Sequence, residues 1–302
     1  MVFELSEIIN YLGDSIESVK GEIDHIVIKY LKDPKEVDKH TLDWVNPLKK
    51  NKQEIAETTE AKAILVDSEV VYSQELQKKQ KVLIYVNNPK ICIALIANKF
   101  FDKKRQTGIH PSAMIDKEVQ IGGNTYIGPN CILEKCIIGD NVQLHGNIFI
   151  YENVVVGNNV EIHAGTIIGN EAHNFVEDDN GKKVKFPHLG GVIIEDNVTI
   201  GAQSVISKGV LSNTVIGEGT KIAQLVFIGA NNKIGINCAI RPNVMISGSV
   251  MIGDFSIIAS SATIREQTNI GTNSFIGMGA VVTKNVPDNE IWVGNPARKL
   301  IK

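Results

Sequence analysis

From Ile109 to Val282 an aliphatic residue returns at almost every sixth position. The beat falls at 109, 115, 121, 127 and 133, takes one short step, and resumes from 138 to 168. It reappears at 194, 200 and 206, skips to 216, and runs unbroken from 222 to 282. Typical units read IGPNCI, VGNNVE, IGAQSV and IGTNSF. The second position is often Gly, and the fifth is small or β-branched (Thr125, Cys131, Val160, Ser204, Cys238, Ser274, Ala280). A period of six fits neither one face of a helix nor simple strand alternation. It suits a short strand plus a turn, with the aliphatic residue inward. Gly or Asn belongs at the corner, since both tolerate positive φ. Such units bury a continuous core only by stacking, so a solenoid is predicted.

Two regions stand outside the beat. Residues 1–105 have no hexad phase and read as α/β, with a helical ELSEIINYLG, strand-like DHIVIKYL, KAILVD and KVLIYVNNP, and a helix-like PKICIALIANKFF. The second exception is EAHNFVEDDNGKKVKFPHLGGV, where the rhythm fails and two of the seven histidines appear. The predicted organisation is an α/β domain over 1–107, a repeat domain over 108–287 with a loop excursion at 171–191, and a tail over 288–302.

Composition narrows the classes. Net charge is −3, with 22% charged residues of both signs interspersed, which lacks the basic footprint of a nucleic-acid binder. There is no run of about 18 apolar residues, so no membrane span is expected. The acidic N-terminus, MVFELSEIINYLGDSIESVKGE, does not read as a secretion signal. The four cysteines show no CxxC spacing; Cys131 and Cys238 sit at small inward positions, and buried free thiols in a reducing cytoplasm are expected. GMGAVV lacks the third glycine and the strand–helix context of a dinucleotide fingerprint, and no P-loop, HExxH or GxSxG is present.

The hexads resemble those of the left-handed parallel β-helix acyltransferases, whose triangular coils take three hexads each. Both halves, in this order, resemble the UDP-3-O-acylglucosamine N-acyltransferase family. The likeness is carried by WVNPLKK (44–50), VNNPK (86–90), IHPSAMID (109–116), VKFPHLGGVIIEDNVTIGA (184–202) and KGVLSNTVIGEGTKI (208–222). It implies a nucleotide-sugar-binding first domain, a left-handed β-helix acyltransferase domain and a homotrimer with sites between neighbours. The ending VTKNVPDNEIWVGNPARKLIK (282–302) resembles instead that of coenzyme A-dependent members, and the family's C-terminal helices are not matched. This favours acyl-coenzyme A over acyl carrier protein as donor. The family's catalytic histidine, in an Ile-Ala-His-Asn hexad, meets Ala230 of IGANN (228–232). Its neighbouring aspartate meets Ala223, and a second histidine is replaced within IREQTN (264–269). The architecture carries over; the family's base does not.

N-acyl transfer needs a neutral amine in attack position, a base for its proton, and donors facing the thioester oxygen. Histidine suits the base role because it titrates near neutrality. His173 is the leading candidate, in the only long excursion, with Glu171 to raise its basicity and Asn174 to contact substrate; His188 is the second. In the first domain Trp44 and Asn46 fall where the resembling family contacts uracil, the inexact match leaving UDP or dTDP open. For the donor, Gly277, Gly279 and Ala280 would admit a pantetheine arm, with Lys284 and Arg298 meeting phosphates. His145 and His163, 18 residues apart, would stack on adjacent coils, but no third ligand at matching spacing is visible, so no metal is expected. The reading is therefore an N-acyltransferase moving an acyl group from acyl-coenzyme A to a nucleotide-linked amino sugar, feeding a surface polysaccharide or glycolipid. The alternatives are the lipid A N-acyltransferase using acyl carrier protein, and a non-catalytic β-helix that binds or scaffolds.

Overall fold

A computed structural model describes residues 2–102 and 105–301, and the chain divides into two compact units, 1–104 and 105–302. The first unit is built on a four-stranded sheet in the order Ile16–Lys20, Val82–Val86, Ala63–Val66, Leu42–Trp44. The outer pair is antiparallel and the other two pairings are parallel. Alternate residues of Ala63–Val66 enter different cores. Ala63 and Leu65 join Leu5, Ile8 and Ile84, whereas Ile64 and Val66 join Val45, Leu76 and Leu83. A strand buried on both faces explains its unbroken apolar run.

The helix Leu5–Leu12 buries Leu5, Ile8 and Leu12, one stripe of its surface. The helix Pro89–Ile96 opens with proline in its first turn, and the Asn88 side chain accepts from the N–H groups of Lys90 and Ile91. Lys81 closes another helix, Lys52–Thr58. Its buried ammonium donates to the carbonyl oxygens of Ala56 (3.0 Å), Glu57 (3.2 Å) and Thr59. A cation on carbonyls at a helix C-terminus satisfies both partners.

The second unit is the left-handed β-solenoid expected from the hexads. Its strands, mostly two residues long, stack into three sheets of eleven, nine and eight strands, parallel except for the last strand of the first. One core cluster of the beat residues runs from Ile127 to Ala297. Coil-to-coil register is 17 residues at Ile127↔Leu144, where the beat takes its short step, and 18 at Leu144↔Ile162. The excursion lengthens the next pairing to Ile162↔Ile200 without breaking it. The skip before Ile216 is a second, smaller loop, Lys208–Asn213, after which 18-residue spacing returns at Ile216↔Ile234. Beyond Val282, Ile291–Val293 adds one more parallel strand to the eleven-stranded face, and Arg298–Lys299 folds back antiparallel on it.

The corners divide labour between two residue types. The left-handed residue is the fourth of most hexads, usually Asn, as at Asn130 (φ 56) and Asn243 (φ 61). The second-position glycine answers another demand: a Cβ on Gly128 would sit 2.6 Å from the carbonyl oxygens of Leu144 and His145. At Gly128 the stacked corners are thus too close for a side chain. The fifth-position hydroxyls serve backbone groups in the core. Thr125 Oγ1 donates to Gly139 O (2.9 Å) and accepts from Val142 N–H (3.0 Å). All four cysteines are free and buried, and burial pushes the Cys136 thiol up to about 12.

Candidate functional site

The excursion leaves the solenoid after Asn170 and folds on itself as a hairpin, Phe175–Glu177 against Lys183–Lys185. Its turn is held by Asp178, whose side chain accepts from the N–H groups of Asn180 and Lys182, both at 2.9 Å. The base of the hairpin is tied by Phe186 N–H to Asn174 O (3.0 Å). The chain re-enters along the smaller loop, with Leu189 N–H on Val210 O (2.7 Å) and Gly190 N–H on Gly209 O (3.1 Å). A Cβ on Gly190 would lie 2.1 Å from Ser212 O, and one on Gly191 2.0 Å from Asn153 O. Both glycines therefore serve close backbone approach, which fixes where His188 emerges.

Between excursion and coils lies a cleft of about 470 Å³. His173, Asn174 and His188 line it from the excursion, Ala230 and Asn231 from one coil corner, and Glu266 from a later one. Ala230, which the resemblance sets against the family's histidine, shares this cleft with both histidines of the excursion. Glu266 escaped the sequence reading, because its place beside Ala230 depends on two coils of stacking rather than on any motif.

The two histidines differ in environment. His173 is exposed, its ring against Phe175 at 4.5 Å. His188 is 3% exposed, and neither ring nitrogen has a hydrogen-bond partner among the described residues. Burial holds its pKa below the usual histidine value, offset by Glu171 and reinforced by Lys208 and Lys185. A neutral, buried, unsatisfied imidazole is an uncommon arrangement that clusters at functional sites.

Glu171 was expected beside His173, but its carboxylate pairs with Lys185 and accepts the backbone N–H of His188 (3.4 Å). The Lys185 ammonium, helped by the weaker effect of the His188 N–H, keeps its carboxyl below the usual glutamate range against the opposing effect of burial. Its electrostatic influence therefore falls on His188. Below the cleft, Asn232 is fully buried and clamps the corner. Its amide donates to Gly229 O (2.8 Å) and Ser247 O (2.9 Å), and its oxygen accepts Val250 N–H (2.6 Å).

The remaining candidates sit elsewhere. Trp44 is half-buried against the core of the first unit, and the Asn46 side chain accepts Leu48 N–H (3.0 Å). Neither lines the 500 Å³ recess of that unit, which is formed by residues such as Asp24, His25, Lys39, His40 and Tyr72. Of the small residues expected to admit a pantetheine arm, Ala280 is 0% exposed and belongs to the solenoid core. Gly277 is small because a Cβ there would meet Val293 Cγ1 at 2.7 Å, and Gly279 takes a left-handed corner (φ 66). Lys284 and Arg298 are exposed, with Arg298 donating to Ala297 O (2.8 Å). His145 and His163 do stack, and Glu161, which lies off the spacing that relates them, is near both as a third group.

Residues 135–170 match the bacterial transferase hexapeptide model (six repeats), and 191–224 match the hexapeptide repeat of succinyl-transferase. A UDP-3-O-acylglucosamine N-acyltransferase of Bordetella parapertussis is 30% identical, over 76% of this chain and 70% of that protein. The chain belongs to the UDP-3-O-acylglucosamine N-acyltransferase family. A Legionella pneumophila (strain Paris) member is 41% identical over 60% of this chain, and only 55% of that member's length is matched. The chain spans about half the length of the first curated members it matches. The fold extends to a crystal structure of UDP-N-acetylglucosamine O-acyltransferase from Moraxella catarrhalis RH4, 26% identical with a TM-score of 0.59. That match covers 64% of this chain and 73% of the other. No helix among the described residues is long and apolar enough to cross a membrane.

Proposed function

We propose that the protein is an N-acyltransferase that transfers an acyl group from a thioester to the amine of a UDP-linked amino sugar. The relatives' names support an acceptor of the UDP-3-O-acylglucosamine kind, the lipid A alternative of the sequence reading, over an unrelated nucleotide sugar. The observation that carries the site is the cleft shared by His173, His188 and Ala230. With alanine where the family resemblance puts the base, the proton of the attacking amine goes to His173. Its exposed ring on the cleft wall is open to a substrate, whereas both nitrogens of His188 are covered. His188, kept neutral by burial and linked to Glu171, backs the cleft and positions the excursion. Asn174 and Glu266 are placed to orient the polar acceptor, and general base catalysis of this kind contributes about 10²–10⁴-fold.

The donor is a thioester of coenzyme A or of acyl carrier protein; the exposed cations Lys284 and Arg298 favour the phosphates of coenzyme A. The working form is a cytoplasmic homotrimer. Supporting self-association, the outward positions Ile137, Val155, Ile193 and Val215 form an apolar row on one face, and Ile137 and Val155 are exposed. The test is a mass-spectrometric screen of UDP- and dTDP-linked amino sugars with short and long acyl donors on coenzyme A and on acyl carrier protein. An N-acylated UDP-sugar is the expected product. Turnover of none of them, by a protein that binds the sugars, would favour the non-catalytic alternative.

A further inference from the structure

His145 and His163 occupy equivalent places on consecutive coils, each just after the inward aliphatic residue of its hexad. Their backbone is fixed by the ladder, with His145 N–H on Ile162 O (3.0 Å) and His163 N–H on Ile200 O (2.9 Å). The rings are stacked within 9° of parallel and 4.7 Å apart, which is the spacing of strands in a sheet. Glu161 lies two residues before His163, hence on the same outer face of its strand. Its Oε1 is 2.7 Å from His145 Nε2 and 3.7 Å from His163 Nε2. The three donor atoms all lie within 4.8 Å of one another.

We propose that His145, Glu161 and His163 form a binding site for a divalent transition metal of the zinc class, independent of the acyl-transfer cleft. Two imidazole nitrogens and one carboxylate oxygen are the donor set of a three-ligand site with an open position for water. Nitrogen donors select zinc, cobalt or nickel over magnesium and calcium, which take oxygen ligands. Tetrahedral zinc with bonds near 2.0–2.1 Å places its donors about 3.4 Å apart. Reaching that takes shifts of tenths of an ångström at Glu161 and, for the two rings stacked 4.7 Å apart, side-chain rotation that tilts them out of parallel and closes their nitrogens by about an ångström. Both imidazoles have a nitrogen within 3.7 Å of the same carboxylate oxygen, so with the rings rotated out of their stack one small ion replaces the His145–Glu161 hydrogen bond and touches all three. The donors are partly exposed, with side chains of 42% (both histidines) and 33% (Glu161) relative accessibility, so the ion needs no opening of the fold.

The experiment is metal titration of the untagged, chelator-stripped full chain. Cobalt(II) is followed by its visible absorption, and zinc(II) by competition with a chromogenic chelator. One ion per chain is expected, with His163→Ala and Glu161→Gln each weakening affinity at least about tenfold and the double variant His145→Ala/His163→Ala abolishing it. His110→Ala, whose ring pairs with Ser112 in the entry turn, is expected to bind like wild type. All four positions are on the surface of a rigid solenoid, and circular dichroism checks that each variant is folded. Absence of saturable binding by wild type would overturn the proposal, as would equal affinity in the folded double variant.

Discussion

Asn232 is the side chain on which the corner beneath the cleft depends, and replacing it with alanine isolates that dependence. The change removes three hydrogen bonds at 2.6–2.9 Å, strands the carbonyl of Gly229 and the N–H of Val250 in a buried setting, and leaves the half-buried carbonyl of Ser247 without this partner. Each abandoned buried group costs about 1–3 kcal/mol, so a loss of about 3–5 kcal/mol is expected after partial relaxation. Asn232→Leu keeps the volume without the hydrogen bonds and separates polar loss from cavity formation; it should lose at least as much. Asn269→Ala, on the exposed outer face of a coil, is the control and should change stability by less than about 0.5 kcal/mol. The assay is urea denaturation followed by fluorescence of Trp292, which packs against the solenoid core, at one fixed protein concentration. A loss below about 1 kcal/mol for both Asn232 variants would refute the view that this amide holds the corner.

Two further outcomes follow from groups outside that corner. His188 has a lowered pKa in the folded protein, so below about 6.5 the unfolded chain binds more protons and stability falls as pH drops through that value. In His188→Gln this component disappears, so the stability difference from wild type should change between pH 7 and 5. Parallel pH profiles of the two proteins would count against a buried neutral imidazole. Lys81→Met strands the three carbonyls at the end of the helix Lys52–Thr58. It should destabilise the first unit by about 2–4 kcal/mol, read from Trp44 fluorescence in a Trp292→Phe background. An unchanged midpoint would show that water replaces the ammonium.

The solenoid was legible because its determinants are local: an inward aliphatic, a tight glycine corner and a left-handed asparagine recur within six residues. The division of labour between Gly128-like and Asn130-like positions was not, since it follows from contacts one coil away. The same reason hid Glu161. It is the outward strand residue two places before His163, off the 18-residue spacing that relates the two histidines. Ala280 reads as a small residue free to admit a ligand, yet it is the inward fifth position of its hexad, the rule that the sequence itself had stated. Glu171 was paired with His173 by proximity in sequence; the hairpin geometry brings Lys185 and His188 to it instead. What the sequence could locate was the excursion, because an interruption of a strict period is visible without knowing the fold.

The central claim is that the cleft lined by His173, His188 and Ala230 carries acyl transfer, with His173 taking the proton. Its most direct measurement is the kcat/KM of His173→Ala against wild type, using the UDP-linked amino sugar and thioester identified by the product screen. The account predicts a fall of about 10²–10⁴-fold, borne by kcat, in a protein that remains folded. Turnover within a few-fold of wild type would contradict it and assign the proton to water or to the departing thiolate.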